Sequence, residues 1–287
     1  MSIIATRRKV LIGGTALAGS ALLNIRTSRA QSGGILEKLR QAGSVKVAIP
    51  QTPPWSQINP DGSLAGITPE MLVPVIHAIG IPKIEAISAT YPELIPGLQA
   101  GRWDIIGADL TISKARCAAV AFLSPTDFGY LAVVYRPADT KNPPLTLTEA
   151  GKSGLKIATN SGGFQLASLR KVAATENLLL FEDTQSVLDA VASKRADIGI
   201  DAYFGMAHIN KNKDLSFTPA LSDMGYTASG IAVRKGDTDL YDALEAEIKK
   251  EKASGFVQKI NEKYGSPYDP EKYNGIDAAT ACTNAKV

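Results

Sequence analysis

One helix–turn–strand segment occurs twice in this chain. Leu94-Ile95-Pro96-Gly97-Leu98-Gln99-Ala100-Gly101-Arg102-Trp103-Asp104 aligns without a gap on Val187-Leu188-Asp189-Ala190-Val191-Ala192-Ser193-Lys194-Arg195-Ala196-Asp197. Each copy reads as an amphipathic helix, a short basic turn and an apolar strand, Ile105 to Ala108 before Asp109 in one and Ile198 to Ile200 before Asp201 in the other. Such units build α/β layers. Ligands of open α/β sheets sit outside the carboxyl ends of the strands, so two copies predict two lobes whose strand ends face one crevice.

The first thirty residues read as an export signal and are set aside for the fold. Thr6-Arg7-Arg8-Lys9-Val10-Leu11 is a twin-arginine pattern, and Leu11 to Leu23 is too short to span a bilayer and is diluted by Gly13, Gly14 and Gly19. Ser28-Arg29-Ala30 offers a small-x-small cleavage site, which predicts export to the periplasm. This leader holds Arg7, Arg8, Lys9, Arg26 and Arg29 and no acid, so residues 31–287 keep 26 of the 31 basic residues against all 28 acids, a balance of −2. The pI of 8.7 therefore belongs to the leader. With no basic patch or basic helix left, nucleic acid and anionic membrane surfaces are excluded as partners.

Strand and helix signals alternate from Ile35. A helix is predicted over 35–42, strands over 45–49 and 83–87, and a rigid loop at Gln51-Thr52-Pro53-Pro54-Trp55-Ser56. Thr68-Pro69-Glu70 reads as a helix start, with Thr68 as N-cap and Glu70 facing the positive end of the dipole. After Asn142-Pro143-Pro144 come strands at 155–158 and 178–181 and the second repeat copy, then a strand at 230–234 and helices at 237–252 and 256–264. The tail beyond Tyr273 is small and polar, without predicted structure unless Cys282 ties it down. Cys117 and Cys282 show no metal-ligand spacing; a disulfide between them and two separate thiols are both open.

Three loops at strand carboxyl ends carry the chemistry. Asp109-Leu110-Thr111-Ile112-Ser113-Lys114-Ala115-Arg116 places hydroxyls, a carboxylate and a guanidinium together, and Arg116 can hold a carboxylate bidentately. Ser161-Gly162-Gly163 leads into a helix whose free amides can take an anion. Asp201 is a carboxylate placed to receive an ammonium. Clamp and acceptor together describe a site for an α-amino acid.

On these residues the chain resembles the family 3 periplasmic solute-binding proteins, the polar amino-acid binding components of ABC importers, over Val45 to Tyr264. Leu98 to Asp104 and Leu110-Thr111-Ile112-Ser113 through Arg116 are similar to that family's most specific motifs, and Phe122-Leu123-Ser124-Pro125 to its run before the first hinge. The resemblance implies a type II periplasmic binding protein: α/β, two hinged lobes, each with a central mixed, mainly parallel sheet. Lobe one would comprise 35–128 and 226–276, lobe two 129–225, and the tail 277–287. It further implies that Arg116 holds the ligand carboxylate with Ser113 and the glycine-loop amides, that Asp201 holds the ammonium and that Tyr91 covers the side chain. The implied partners are a small-molecule ligand, an amino acid or close relative, and an ABC permease in the inner membrane, with the protein itself a monomer. No metal or organic cofactor is implied.

The departures bear on the ligand. Thr52 or Pro53 stands where the family has an aromatic, Trp55 replaces a Phe, and Pro50 stands where binders of basic amino acids carry an acid. Asp109 adds a second carboxylate where the family has a small residue, and needs a partner such as a cationic ligand group, Lys114 or a cluster of amides. The glycine loop keeps only one hydroxyl, on Ser161. Competing structural roles stay open: Arg116 as a surface helix residue, Asp201 as the cap of a helix from Ala202, Asp109 as a loop hydrogen-bond acceptor, Trp55 and Tyr91 as lobe packing. Two other functions also stay open. One is a dehydratase of cyclic carboxylic acids on the same scaffold, with Asp109 as general acid, and the other is a ligand-sensing module.

Overall fold

The computed structural model describes residues 34–285. The twin-arginine pattern, the apolar leader and the cleavage site lie outside the described residues. In chain order the elements are α1 (Ile35–Ala42), β1 (Ser44–Ile49), the short hairpin β2 (Gln57–Ile58) and β3 (Leu64–Ala65), α2 (Ile67–Ala78), β4 (Lys83–Ser88), α3 (Tyr91–Gln99) and β5 (Ile105–Thr111). Then follow α4 (Lys114–Ala119), β6 (Ala121–Phe122), β7 (Asp127–Tyr135), α5 (Leu147–Lys152), β8 (Ile157–Asn160), α6 (Leu166–Val172), β9 (Leu178–Phe181), α7 (Thr184–Ala192), β10 (Ile198–Ala202) and α8 (Tyr203–Ile209). The chain closes with β11 (Ser216–Phe217), β12 (Tyr226–Val233), α9 (Thr238–Ala253), α10 (Phe256–Tyr264), α11 (Pro270–Tyr273) and α12 (Ala278–Asn284).

The strands run in the order β4-β1-β5-β12-β7-β10-β8-β9, with β4, β1 and β5 parallel in one lobe and β10, β8 and β9 parallel in the other. The long strands β7 and β12 join them. Their first halves pair with each other, antiparallel, from Tyr226 opposite Tyr130 to Ser229 opposite Asp127. Their second halves part, β12 along β5 and β7 along β10. Strand alternation then splits each core in two. Val45, Val47 and Ile49 pack under α1, α2 and α9, while Ile106, Ala108 and Leu110 pack under α3. In the second lobe Leu131 and Val133 face α5 and α6, and Ala132 and Val134 face α7 and α8. Both lobes are thus sheets covered on both faces, as parallel strands require.

The repeat is preserved in detail. Asp104 of the first copy donates its amide to the Lys46 carbonyl (2.8 Å) and accepts from the Lys46 amide (3.2 Å); Asp197 makes the same pair with Lys156 (2.9 and 2.8 Å). Arg234, just past β12, donates from one terminal nitrogen to the carbonyls of Leu98 and Trp103 (3.2 and 2.6 Å). Arg136, just past β7, does the same to the aligned carbonyls of Val191 and Ala196. Each arginine also pairs with an acid three residues on, Asp237 and Asp139.

Two expectations are corrected. β5 runs to Thr111, so Asp109 lies within a strand and not in a loop after it. Helix α2 begins at Ile67 after Gly66, and Glu70 does not serve its dipole alone: it accepts from Lys263 Nζ (2.6 Å) and the Tyr264 hydroxyl, tethering α10. The tail forms α12, joined by a Cys117–Cys282 disulfide to α4.

Aligned positions Gly101 and Lys194 both adopt a left-handed backbone, with φ of 71° and 61°. Space around a Cβ at Gly101 is open, so Gly101→Ala is resisted by the backbone alone and is expected to cost about 1 kcal/mol. Lys194→Gly is expected to gain up to about 1 kcal/mol, since the exposed ion pair it gives up to Asp139 is worth little. Urea denaturation of both variants checks the opposite signs.

Candidate functional site

The cleft opens where β5, β12 and β7 lie side by side. Ser229 of β12 sits between Thr111 of β5 and Asp127 of β7 in register, and Asp109, two residues before Thr111, shares its face. This row forms one wall of a cavity of about 70 Å³ that Thr52, Trp55, Tyr91 and Arg116 complete from lobe one. Lobe two contributes Asn160, Gly162, Gly163, Phe164, Gln165, Thr184 and Asp201. That space suits a small polar molecule and not a peptide.

Arg116 lies in the first turn of α4, where Ser113 is the N-cap and accepts from the Arg116 amide (3.3 Å). Its guanidinium donates to the Thr111 carbonyl (2.8 Å) and, across the cleft, to the Gly162 carbonyl (2.7 Å). Burial lowers its pKa to about 10, opposed by the nearby Tyr91, and it stays cationic at neutral pH. It is not a surface residue. Asp201 faces it from β10, accepting from the Ala202 amide (2.8 Å) and the Thr184 hydroxyl (2.9 Å). Burial pushes its pKa up to about 6. It does not cap α8, whose N-cap is Ala202 without a side-chain bond.

Asp109 and Asp127 touch each other. Burial, the charge of Asp127 and a hydrogen bond to Asp127 all raise the Asp109 pKa well above the usual carboxylate range. Burial raises Asp127 as well, opposed by bonds from Asp109, Ser266 and Trp55. Each carboxylate disfavours the ionisation of the other, and the effect falls most heavily on Asp109. Asp127 accepts in addition from Ser266 Oγ (3.0 Å) and Trp55 Nε1 (3.3 Å). Asp109 Oδ1 is buried in the cavity wall with no partner. Lys114 is exposed at the head of α4 and does not line the cavity, so it is not that partner.

The lobes meet closely around this space. The Trp55 ring packs edge-on to Phe204 of α8 at 5.7 Å, and a Cβ at Gly205 would fall 2.3 Å from it. A Cβ at Gly162 would fall 2.5 Å from the Tyr91 Cβ. Tyr91 is hydrogen-bonded to Thr52, and burial raises its pKa, so it stays a neutral phenol.

Nine of the candidate residues meet here: Thr52, Trp55, Tyr91, Asp109, Thr111, Arg116, Gly162, Gly163 and Asp201. Ser113 and Ser161 do not line the cavity; Ser113 caps α4 and the Ser161 amide donates to the Phe181 carbonyl (2.7 Å). The glycine loop also departs from an anion cradle. Gly162 and Gly163 donate to the side chain and carbonyl of Asn160 (2.8 and 3.0 Å), and the loop offers a carbonyl to Arg116 instead. Asp127, Asn160, Thr184 and Ser229 escaped sequence reading. For Asp127 there was a signal, a lone acid heading an apolar strand. No group of three or more potential metal ligands occurs among the described residues.

Comparison with known proteins gives one family. The bacterial extracellular solute-binding proteins, family 3, match residues 45–267. A probable amino-acid ABC transporter periplasmic-binding protein of Sinorhizobium fredii is 27% identical over 72% of this chain and 69% of its own length. The L-arginine-binding protein of Pseudomonas aeruginosa is 26% identical over 75% and 84%. Among solved structures, EhuB in complex with hydroxyectoine superposes with a TM-score of 0.79 at 26% identity, covering 86% of this chain and 97% of that one.

The elevated Asp201 pKa makes a stability prediction for the unliganded protein. A carboxyl whose pKa rises from 3.8 unfolded to about 6 folded stabilises the fold below pH 4, and that contribution is lost as pH rises through 6. Asp201→Asn lacks this dependence. Its stability relative to the parent should therefore grow between pH 4 and 7.5, by about 3 kcal/mol. Denaturation curves at the two pH values check this; a constant offset would show that Asp201 is not desolvated.

Proposed function

Since this chain belongs to the bacterial extracellular solute-binding proteins of family 3, we propose that it captures an α-amino acid or a close relative in the periplasm and delivers it to an ABC permease. The observation that carries this reading is the pairing of Arg116, anchored to lobe one, with Asp201 on the facing strand end of lobe two. A guanidinium takes the carboxylate and a carboxylate takes the ammonium. The names of the relatives support the same class of solute.

In this mechanism lobe one, residues 35–128 with 226–276, receives the ligand through Arg116, Thr111 and Tyr91. Lobe two, residues 129–225, then closes about the antiparallel stretch Asp127–Tyr130 with Tyr226–Ser229. Trp55 docks against Gly205, and Asp201 meets the ammonium away from water, where paired hydrogen bonds discriminate most. The closed form presents both lobes to the permease, and the protein acts as a monomer exported by the twin-arginine route.

A second reading draws on one observation, the buried contact of Asp109 with Asp127 in the cleft, which raises the Asp109 pKa. A carboxylic acid kept neutral at pH 7 can serve as a general acid, as a dehydratase of cyclic acids needs. Incubation with prephenate separates the two: product formation selects the enzyme, and thermal stabilisation by an amino acid without turnover selects the binding protein.

Arg116→Ala is expected to weaken amino-acid binding by about 2–5 kcal/mol in calorimetry, because the ligand carboxylate would be buried unpaired. Affinity should also fall as pH drops through 6, since the ammonium needs Asp201 ionised. Unchanged affinity in the Arg116 variant would remove the carboxylate clamp from the mechanism.

A further inference from the structure

The charged groups of the cavity do not balance for a simple zwitterion. Arg116 answers the ligand carboxylate and Asp201 its ammonium, which leaves Asp109 and Asp127 over. Their position is built. Asp127 is held by Trp55 and Ser266, and the segment before it is held by α9 and α10. There the Glu245 carboxylate accepts from the Ser124 amide (2.7 Å), and Asn261 donates to the Thr126 carbonyl (3.2 Å). Asp109 is only 9% exposed and lines the cavity, yet its Oδ1 has no partner. A buried carboxyl with an unanswered oxygen is costly, and the place of Asp109 in the cavity wall lets a ligand donate to that carboxyl group.

We propose that Asp109 and Asp127 form a second cation subsite at the foot of the crossing strands, which takes a positively charged N–H-bearing group on the ligand's side chain. The solute is then a cationic amino acid, recognised at three points: carboxylate on Arg116, α-ammonium on Asp201 and side-chain cation on the pair. This deepens the amino-acid reading above and rests on it. Neutral and acidic side chains are selected against, because they leave the Asp109 oxygen unpaired or set a further anion against it.

The pair also ties binding to a proton. An empty subsite holds one proton between two carboxyls; an incoming cation replaces it, and the proton leaves to solvent. The groups facing the pair are Trp55, Ser266 and Ser229 as hydrogen-bond partners, the neutral phenols of Tyr91 and Tyr268, and the charges of Arg116 and Asp201. None of the phenols titrates near neutrality, and Arg116 stays charged, so Asp201 and the pair are the groups whose protonation can follow binding. Asp201 is common to every α-amino acid, so the side-chain cation accounts for any difference in proton release.

The test is calorimetry of the intact protein with ornithine and 2,4-diaminobutyrate, each against its neutral isostere, norleucine and norvaline, in two buffers of different ionisation enthalpy. The expected result is that the better diamino acid binds about 30-fold or more tighter than its isostere and releases about one further proton. In Asp109→Asn, and separately in Asp127→Asn, that ratio should fall below about threefold and the extra proton should disappear. Melting curves confirm that each variant folds, and two variants guard against the loss of either. Isosteres that bind as tightly as the diamino acids, or a ratio untouched in folded variants, overturn the subsite and leave the amino-acid reading standing. If no α-amino acid binds the parent protein, both readings fall together.

Discussion

Two arginines hold the architecture, one just beyond each crossing strand. Arg234 and Arg136 reach back to the last turn of a repeat helix and to the turn that follows it, bonding carbonyls at positions that correspond in the two copies. The Leu98 and Val191 carbonyls each accept an amide from the following turn, Gly101 and Lys194 (both 3.1 Å), and the arginine adds a second donor to each while also answering a carbonyl in the turn. The bond joins the end of a crossing strand to the start of the strand that carries a binding carboxylate. Each repeat is thereby locked to the strand that enters its lobe. The position of Asp109 or Asp201 follows from a connection made at the opposite end of the sheet.

The two copies are not equivalent at their tips. Extending the alignment sets Asp201 against Ala108 and Asp109 against Ala202, a difference of one residue. In a strand one residue is a change of face. Asp201 comes to lie beside Thr184 and the amide of Ala202. Asp109 turns toward Ser229 and Asp127 on the crossing strands. A duplicated unit has thus been given two different carboxylate sites by a shift in register, without any change of framework.

Much of this was legible from local pattern. The helices at 35–42 and 256–264, the strand at 178–181 and the helix–turn–strand of both repeats follow from periodicity and turn residues, because their burial is decided within each element. The cavity residues on motifs, Arg116 above all, could be named because their spacing in the chain sets their geometry. What escaped depends on contacts between distant segments. Asp127 becomes a site residue only because β12 brings Ser229 between it and β5, and Ser161 leaves the site because its amide is claimed by β9. Strand 155–158 was placed two residues early, since the polar Thr159 and Asn160 that extend it are buried by side-chain bonds the sequence does not announce. The tail gave no amphipathic signal; Asp277 caps α12 at the Thr280 amide, and a covalent bond fixes the helix against α4.

That bond joins the residue immediately after Arg116 to the last helix of the chain. The helix that carries Arg116 is therefore covalently joined to α12, near the end of the described residues. A load, reporter or surface linker attached there would pull on the helix that carries Arg116 through a single cystine. An attachment in lobe two, on the far side of the crossing strands, would bear on β10, β8 and β9 and leave that cystine unloaded.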